Sequence, residues 1–120
     1  MDKNDLIKRI KIFVISVLRL CEKLPKSEIN NVLRNQLVRC ATSVGANHRA
    51  ACRAKSMADF INKLKIVEVE ADETIYFLEL LEELDTKNIN EIEKLHLEAN
   101  ELLSIIVASI KTARNNQLAK

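Results

Sequence analysis

Residues Gln36 to Leu81, QLVRCATSVGANHRAACRAKSMADFINKLKIVEVEADETIYFLELL, decide the fold. In the first half, Leu37, Cys40, Val44, Asn47 and Ala51 continue from Leu33 in alternating steps of four and three, the spacing of a helix in a left-handed bundle. In the second half, Phe60, Leu64, Val67, Ala71, Thr74 with Ile75, Leu78 and Leu81 form one helical face. Between them Lys55-Ser56 makes a turn, and Ser56 with Asp59 fits the capping-box pattern with Asp in place of Glu. The stretch therefore predicts two antiparallel helices, about 28–54 and 57–84.

Outward from this hairpin the pattern repeats. Leu6, Ile7, Ile10, Phe13, Val14, Val17, Leu20 and Cys21 share a face opposite Lys8, Arg9, Lys11 and Arg19, which predicts a first helix over about 4–23. Leu24-Pro25 ends it, since proline has no N–H and biases the preceding residue away from helix. Asn88 and Glu91 form an expected cap pair for a fourth helix over about 88–114, which continues through Ile92, Leu95, Ala99, Leu102, Leu103, Ile106, Ile110 and Ala113 with a polar, fraying tail after it. With 120 residues, one Gly and one Pro, the expected class is all-α: a single antiparallel up-down-up-down four-helix bundle spanning 1–120.

Composition excludes several function classes. The three cysteines, Cys21, Cys40 and Cys52, form no CxxC pair and no Cys/His cluster, so reduced thiols in a cytoplasmic protein are expected and no metal site. The first 20 residues carry lysines within their apolar run and no small-residue cleavage site, and no run reaches about 20 apolar residues, so neither a signal peptide nor a membrane partner is expected. There is no glycine-rich phosphate loop and no nucleophile-base constellation, so the expectation is no enzyme, no catalytic residue, no cofactor and no small-molecule substrate. His48 and His96 lack companions and read as incidental.

Charge is distributed unevenly: +5 over residues 24–55 and −7 over 56–85. The two segments can attract each other within the bundle, and the basic one can leave a face for an anionic partner. Away from the core seam of the second helix stand Arg39, Thr42, Ala46, Arg49 and Arg53, with Ser43, Gly45 and Ala50 alongside. A glycine inside a helix costs about 1 kcal/mol relative to alanine, so close approach of another backbone is expected there, as a subunit contact. Arg39, Arg49, Arg53 and Lys55 are the candidate contacts to RNA or DNA phosphates. Asn47, polar within the core seam, reads as a structural amide bonding a partner inside the bundle, with substrate binding as the other reading.

The third helix carries a second apolar seam, Ile66, Val69, Tyr76 and Leu80, interleaved with Asn62 and Glu73. One helix of a lone bundle needs one apolar stripe, so the second stripe predicts a homo-oligomer. Glu73, with Glu70 beside it, is expected to meet an arginine of a neighbouring subunit. Paired carboxylates also suit acid/base or metal chemistry, but no His or Cys accompanies them at ligand spacing.

The runs Gln36-Leu37-x-Arg39-x-Ala41-Thr42-Ser43-Val44-Gly45-Ala46-Asn47-x-Arg49, Ala54-Lys55-Ser56-x-Ala58-Asp59-Phe60-Ile61-x-Lys63-Leu64 and Glu70-Ala71-Asp72-Glu73-Thr74-x-Tyr76-x-Leu78-Glu79-Leu80-Leu81 resemble the bacterial 23S rRNA intervening-sequence proteins, also labelled S23. The resemblance implies a small cytoplasmic four-helix bundle without known catalytic machinery, often encoded within insertions in ribosomal RNA genes. That superfamily looks related to the accessory variability proteins of diversity-generating retroelements, and the likeness implies a homopentamer whose basic surface binds nucleic acid and a reverse transcriptase. The chain departs from the family pattern at Ala50, where a Glu is usual, and at Phe77, where a Trp is common.

Two functions follow as expectations. One is a homo-oligomer holding structured RNA or DNA by phosphate contacts, without base stacking, because aromatic residues are few. The other is a protein-interaction scaffold, including a reverse-transcriptase accessory protein, whose arginines serve subunit interfaces.

Overall fold

A computed structural model describes residues 1–119 as four helices in chain order: α1 (Lys3–Lys23), α2 (Glu28–Ala51), α3 (Met57–Leu84) and α4 (Ile89–Leu118). Local chemistry explains the starts. Asp2 and Asp5 form a reciprocal capping box on α1, Ser27 accepts the Asn30 N–H at 3.0 Å, and Ser56 accepts the Asp59 N–H at 3.1 Å. Leu24, extended before Pro25, ends α1. Arg34 of α2 then donates to the Cys21 and Leu24 carbonyls, both at 2.9 Å, setting a cation on the negative end of α1.

Three boundaries differ from expectation. α2 stops at Ala51, because the Arg53 and Ala54 N–H groups bond the Ala50 and Ala51 carbonyls in a tighter i to i−3 turn, so Arg53 and Lys55 lie beyond the helix. α4 runs on to Leu118, four residues past the expected end at 114. Its entry is not closed by an Asn88 side-chain cap; Asp85 instead accepts the Asn88 backbone N–H and amide at 3.0 Å each.

Each helix touches only its two neighbours, α1 with α2 and α4, α3 with α2 and α4, so the cross-section is a square in a body 53 × 22 × 21 Å. This is the antiparallel bundle. Val17, Leu20, Leu37, Val67, Leu78, Leu81 and Ile92 are fully buried along its axis. On α3, Ile61 takes the core place expected for Phe60, which is half-buried. On α2, His48 is buried while Asn47 is half-exposed and donates to the Ser43 carbonyl and hydroxyl of its own helix, at 3.0 and 2.9 Å. Asn47 is therefore not an amide bonding a partner helix. The two residues differ by about 100° around the helix, and the buried arc of α2 is turned toward α1.

Gly45 shows why that turn is possible. A Cβ at Gly45 would stand 3.3 Å from Val14 Cγ2, so the missing side chain lets α1 come close. The close approach expected between subunits occurs here inside the chain. On the α1–α4 side, Arg9 makes a forked pair with Glu98 (2.9 and 2.7 Å) and reaches Glu101 at 2.9 Å, which holds the guanidinium above the usual arginine range.

Candidate nucleic-acid and subunit interfaces

The basic residues of α2 have two fates. Arg39 donates to Glu73 at 2.6 Å, to Glu70 at 3.2 Å and to Gln36 at 3.2 Å. The Glu73 hydrogen bond is the main cause of a guanidinium held above its ordinary range. Glu73, expected to meet an arginine of another subunit, thus has one in its own chain.

Arg49 and Arg53 form no ion pair among the described residues. With Lys3 and Lys11 of α1 they line a groove of about 600 Å³ between α1 and α2, floored by Ile7, Ile10, Val14 and Gly45. Among the described residues no carboxylate lines it. Lys3 Nζ donates to the Cys52 carbonyl at 2.8 Å, fixing that ammonium at the end of α2. Lys55 is exposed and lines the neighbouring cavity at the end of the bundle rather than the groove.

Charge order along α3 explains the difference. The antiparallel hairpin sets the end of α2 beside the start of α3, where Asp59 is taken by Lys63 at 2.5 Å and Lys65 is exposed. The carboxylates that could answer an arginine begin at Glu68. They reach Arg39 but not the end of α2.

Of the second apolar seam on α3, Ile66, Val69 and Tyr76 are each about half exposed or more, and Leu80 is half-buried against the core. Tyr76 stands edge-on to Phe77, with ring centroids 5.6 Å apart. A second apolar group was not legible in the sequence: Ile12 and Ile15 lie exposed on α1, the corner diagonal to α3. Both sit off the α1 core face, and their only signal is hydrophobicity at angles the core does not need.

The titratable groups that remain are structural in setting. Burial pushes the Cys21 thiol up to about 11 and raises Cys40 and Cys52 as well, so none is poised as a nucleophile. Burial holds the His48 imidazole below its ordinary value. His96 pairs with Glu82 between α4 and α3. Among the described residues no three His, Cys, Asp or Glu gather as metal ligands, and no helix is long and apolar enough to cross a membrane.

A family model described as 23S rRNA-intervening sequence protein matches residues 2–108. A crystal structure of a protein with unknown function from the S23 ribosomal protein family of Bacteroides thetaiotaomicron is similar at 34% identity and a TM-score of 0.83, covering 92% of this chain and 99% of that one. No curated protein matches.

Proposed function

The chain belongs to the 23S rRNA-intervening sequence protein family, and from that footing we propose that it is a non-enzymatic homo-oligomer that binds structured RNA or DNA through the α1–α2 groove. The observation that carries this reading is the set of four cations, Lys3, Lys11, Arg49 and Arg53, around a groove without a carboxylate. Guanidinium and ammonium groups on both walls of one groove suit phosphates, and phosphate contacts position a nucleic acid without reading its bases. Arg39, tied to Glu70 and Glu73, contributes little to that surface.

Oligomer formation is supported by exposed apolar side chains on diagonal corners, Ile66, Val69 and Tyr76 on α3 and Ile12 and Ile15 on α1. A contact between two different patches is head-to-tail and closes into a ring when the rotation allows. The likeness to the accessory variability proteins implies a pentamer. A ring repeats the groove around its axis and multiplies the phosphate contacts. The Arg39–Glu70–Glu73 cluster withdraws one arginine from the cationic surface, and the second reading is a scaffold that works through protein contacts alone.

The separating experiment is the double reversal Arg49→Glu/Arg53→Glu, followed by anisotropy of a labelled RNA hairpin and a DNA duplex over a salt series. We expect affinity to fall about 100-fold at low salt and the log–log salt slope to shrink by about 2, with the assembled mass unchanged. Equal binding by the still-assembled variant would favour the scaffold.

A further inference from the structure

Where α1 and α3 begin and α2 stops, a cavity of about 680 Å³ opens between side chains of all four helices. That lies within the roughly 300–1,000 Å³ of small-molecule sites. Its body is apolar: Leu6, Ala51, Met57, Phe60, Leu64 and Ile105. It shares a wall with the α1–α2 groove, and the shared residues are Lys3, His48 and Cys52.

That wall is polar beside the apolar body, and Asp2, Lys55, Ser56 and Ser109 add further polar lining. His48 is only 5% exposed. Its Nε2 stands 3.9 Å from Cys52 Sγ, and its Nδ1 bonds no described residue. Lys3 spends one donor on the Cys52 carbonyl and has two left. Asp2, the single carboxylate at the cavity, is engaged in the capping box of α1. Lys55 also lines the cavity with an ammonium group.

We infer that this cavity binds a small amphipathic monoanion, a medium-chain carboxylate being the type, with its apolar body against Leu6, Phe60 and Leu64 and its head group on Lys3 and His48. A neutral hydrophobe would leave the spare donors of Lys3 unused, and a bare anion would leave the apolar walls wet; a ligand with both parts engages both. Held neutral by burial, His48 can still donate one N–H. The site needs neither nucleic acid nor assembly, but it shares Lys3 with the groove, so the filling variants, which leave Lys3 in place, separate the two roles.

Calorimetry of the full chain with decanoate, decanol, inorganic phosphate and adenosine monophosphate tests it. Decanoate is expected to saturate one site per chain, with each of the other three at least about tenfold weaker. Lys3→Met and His48→Gln should each move decanoate toward the affinity of decanol. Ser109→Phe, from the α4 wall, and Ala54→Phe, from the turn, should each abolish binding while leaving the melting curve and nucleic-acid affinity in place; two filling variants guard against one misfolding. Decanoate uptake that never saturates, or that survives both filling variants, overturns the proposal, as does phosphate or adenosine monophosphate binding as tightly as decanoate.

Discussion

The middle and the end of α2 treat the same side chain in opposite ways. Arg39 is closed onto Glu70 and Glu73 of α3, whereas Arg49 and Arg53, ten and fourteen residues further on, meet Lys3 and Lys11 across a groove with no acid in it. Segment totals of +5 and −7 suggest wholesale neutralisation between α2 and α3. Position decides otherwise, because an ion pair forms only where antiparallel register brings the charges within about 4 Å, and screening removes the rest over about 10 Å. The lesson is that charge is to be read by register, turn by turn, not by helix.

The contrast can be broken most severely at the apolar seam that flanks Arg39. Ile66→Asp with Tyr76→Asp places two carboxylates on an exposed face, and the expected outcome is a light-scattering mass falling to the 13.7 kDa of the single chain with little change in melting temperature. An assembly that survives both changes would remove the α3 seam from the interface. Next in size is the floor of the groove. Gly45→Leu has to push α1 from α2 at Val14, and a loss of about 1–3 kcal/mol in denaturant unfolding is expected. Gly45→Ala sets a helix-propensity gain of up to about 1 kcal/mol against the crowding at 3.3 Å, so its net effect should be far smaller.

A smaller effect sharpens the comparison through pH. Burial lowers the folded-state value of His48, so the unfolded chain takes up the proton first as pH falls. The stability of the neutral, buried imidazole is complete above the ordinary histidine value of about 6.5 and is lost progressively as pH drops from there to the folded value. The melting temperature should fall on acidification through that window in the parent and less steeply in His48→Gln. Asp59 and Asp85, held below the usual carboxylate range by Lys63 and Asn88, act at lower pH and leave the window clear. The smallest effect is expected at Arg39→Ala: a slight change in melting and no change in nucleic-acid affinity, against the large loss at Arg49 and Arg53. A comparable loss at Arg39 would erase the distinction between the two regions.

Most of the bundle was legible in the order of residues. α1 and α3 begin and end within a residue of expectation, because Pro25, Ser56 and Asp59 act on their own neighbours. The stop of α2 was not, since it rests on a turn that Lys3 fastens from 49 positions away. Arg34 reads as one more surface charge until α1 ends beside it. For the candidate surfaces, the α3 seam announced itself by spacing, and Arg49 and Arg53 by their place opposite the core. Lys3 and Lys11 did not, because the groove they share with α2 exists only once the helices pack.

By itself, then, the sequence determined what depends on short range: four amphipathic helices, the Ser56 cap of α3, and an apolar stripe too many on α3. The tertiary structure alone decided what depends on distance between helices. It turned α2 so that His48 rather than Asn47 is buried, closed Arg39 onto α3, left Arg49 and Arg53 facing other cations, and opened a largely apolar cavity between four elements. The physical reason is that periodicity encodes which face of a helix is apolar to within about 100°, whereas ion pairs and cavities are settled by a few ångströms of register and approach, as where the missing side chain of Gly45 lets α1 come close to α2.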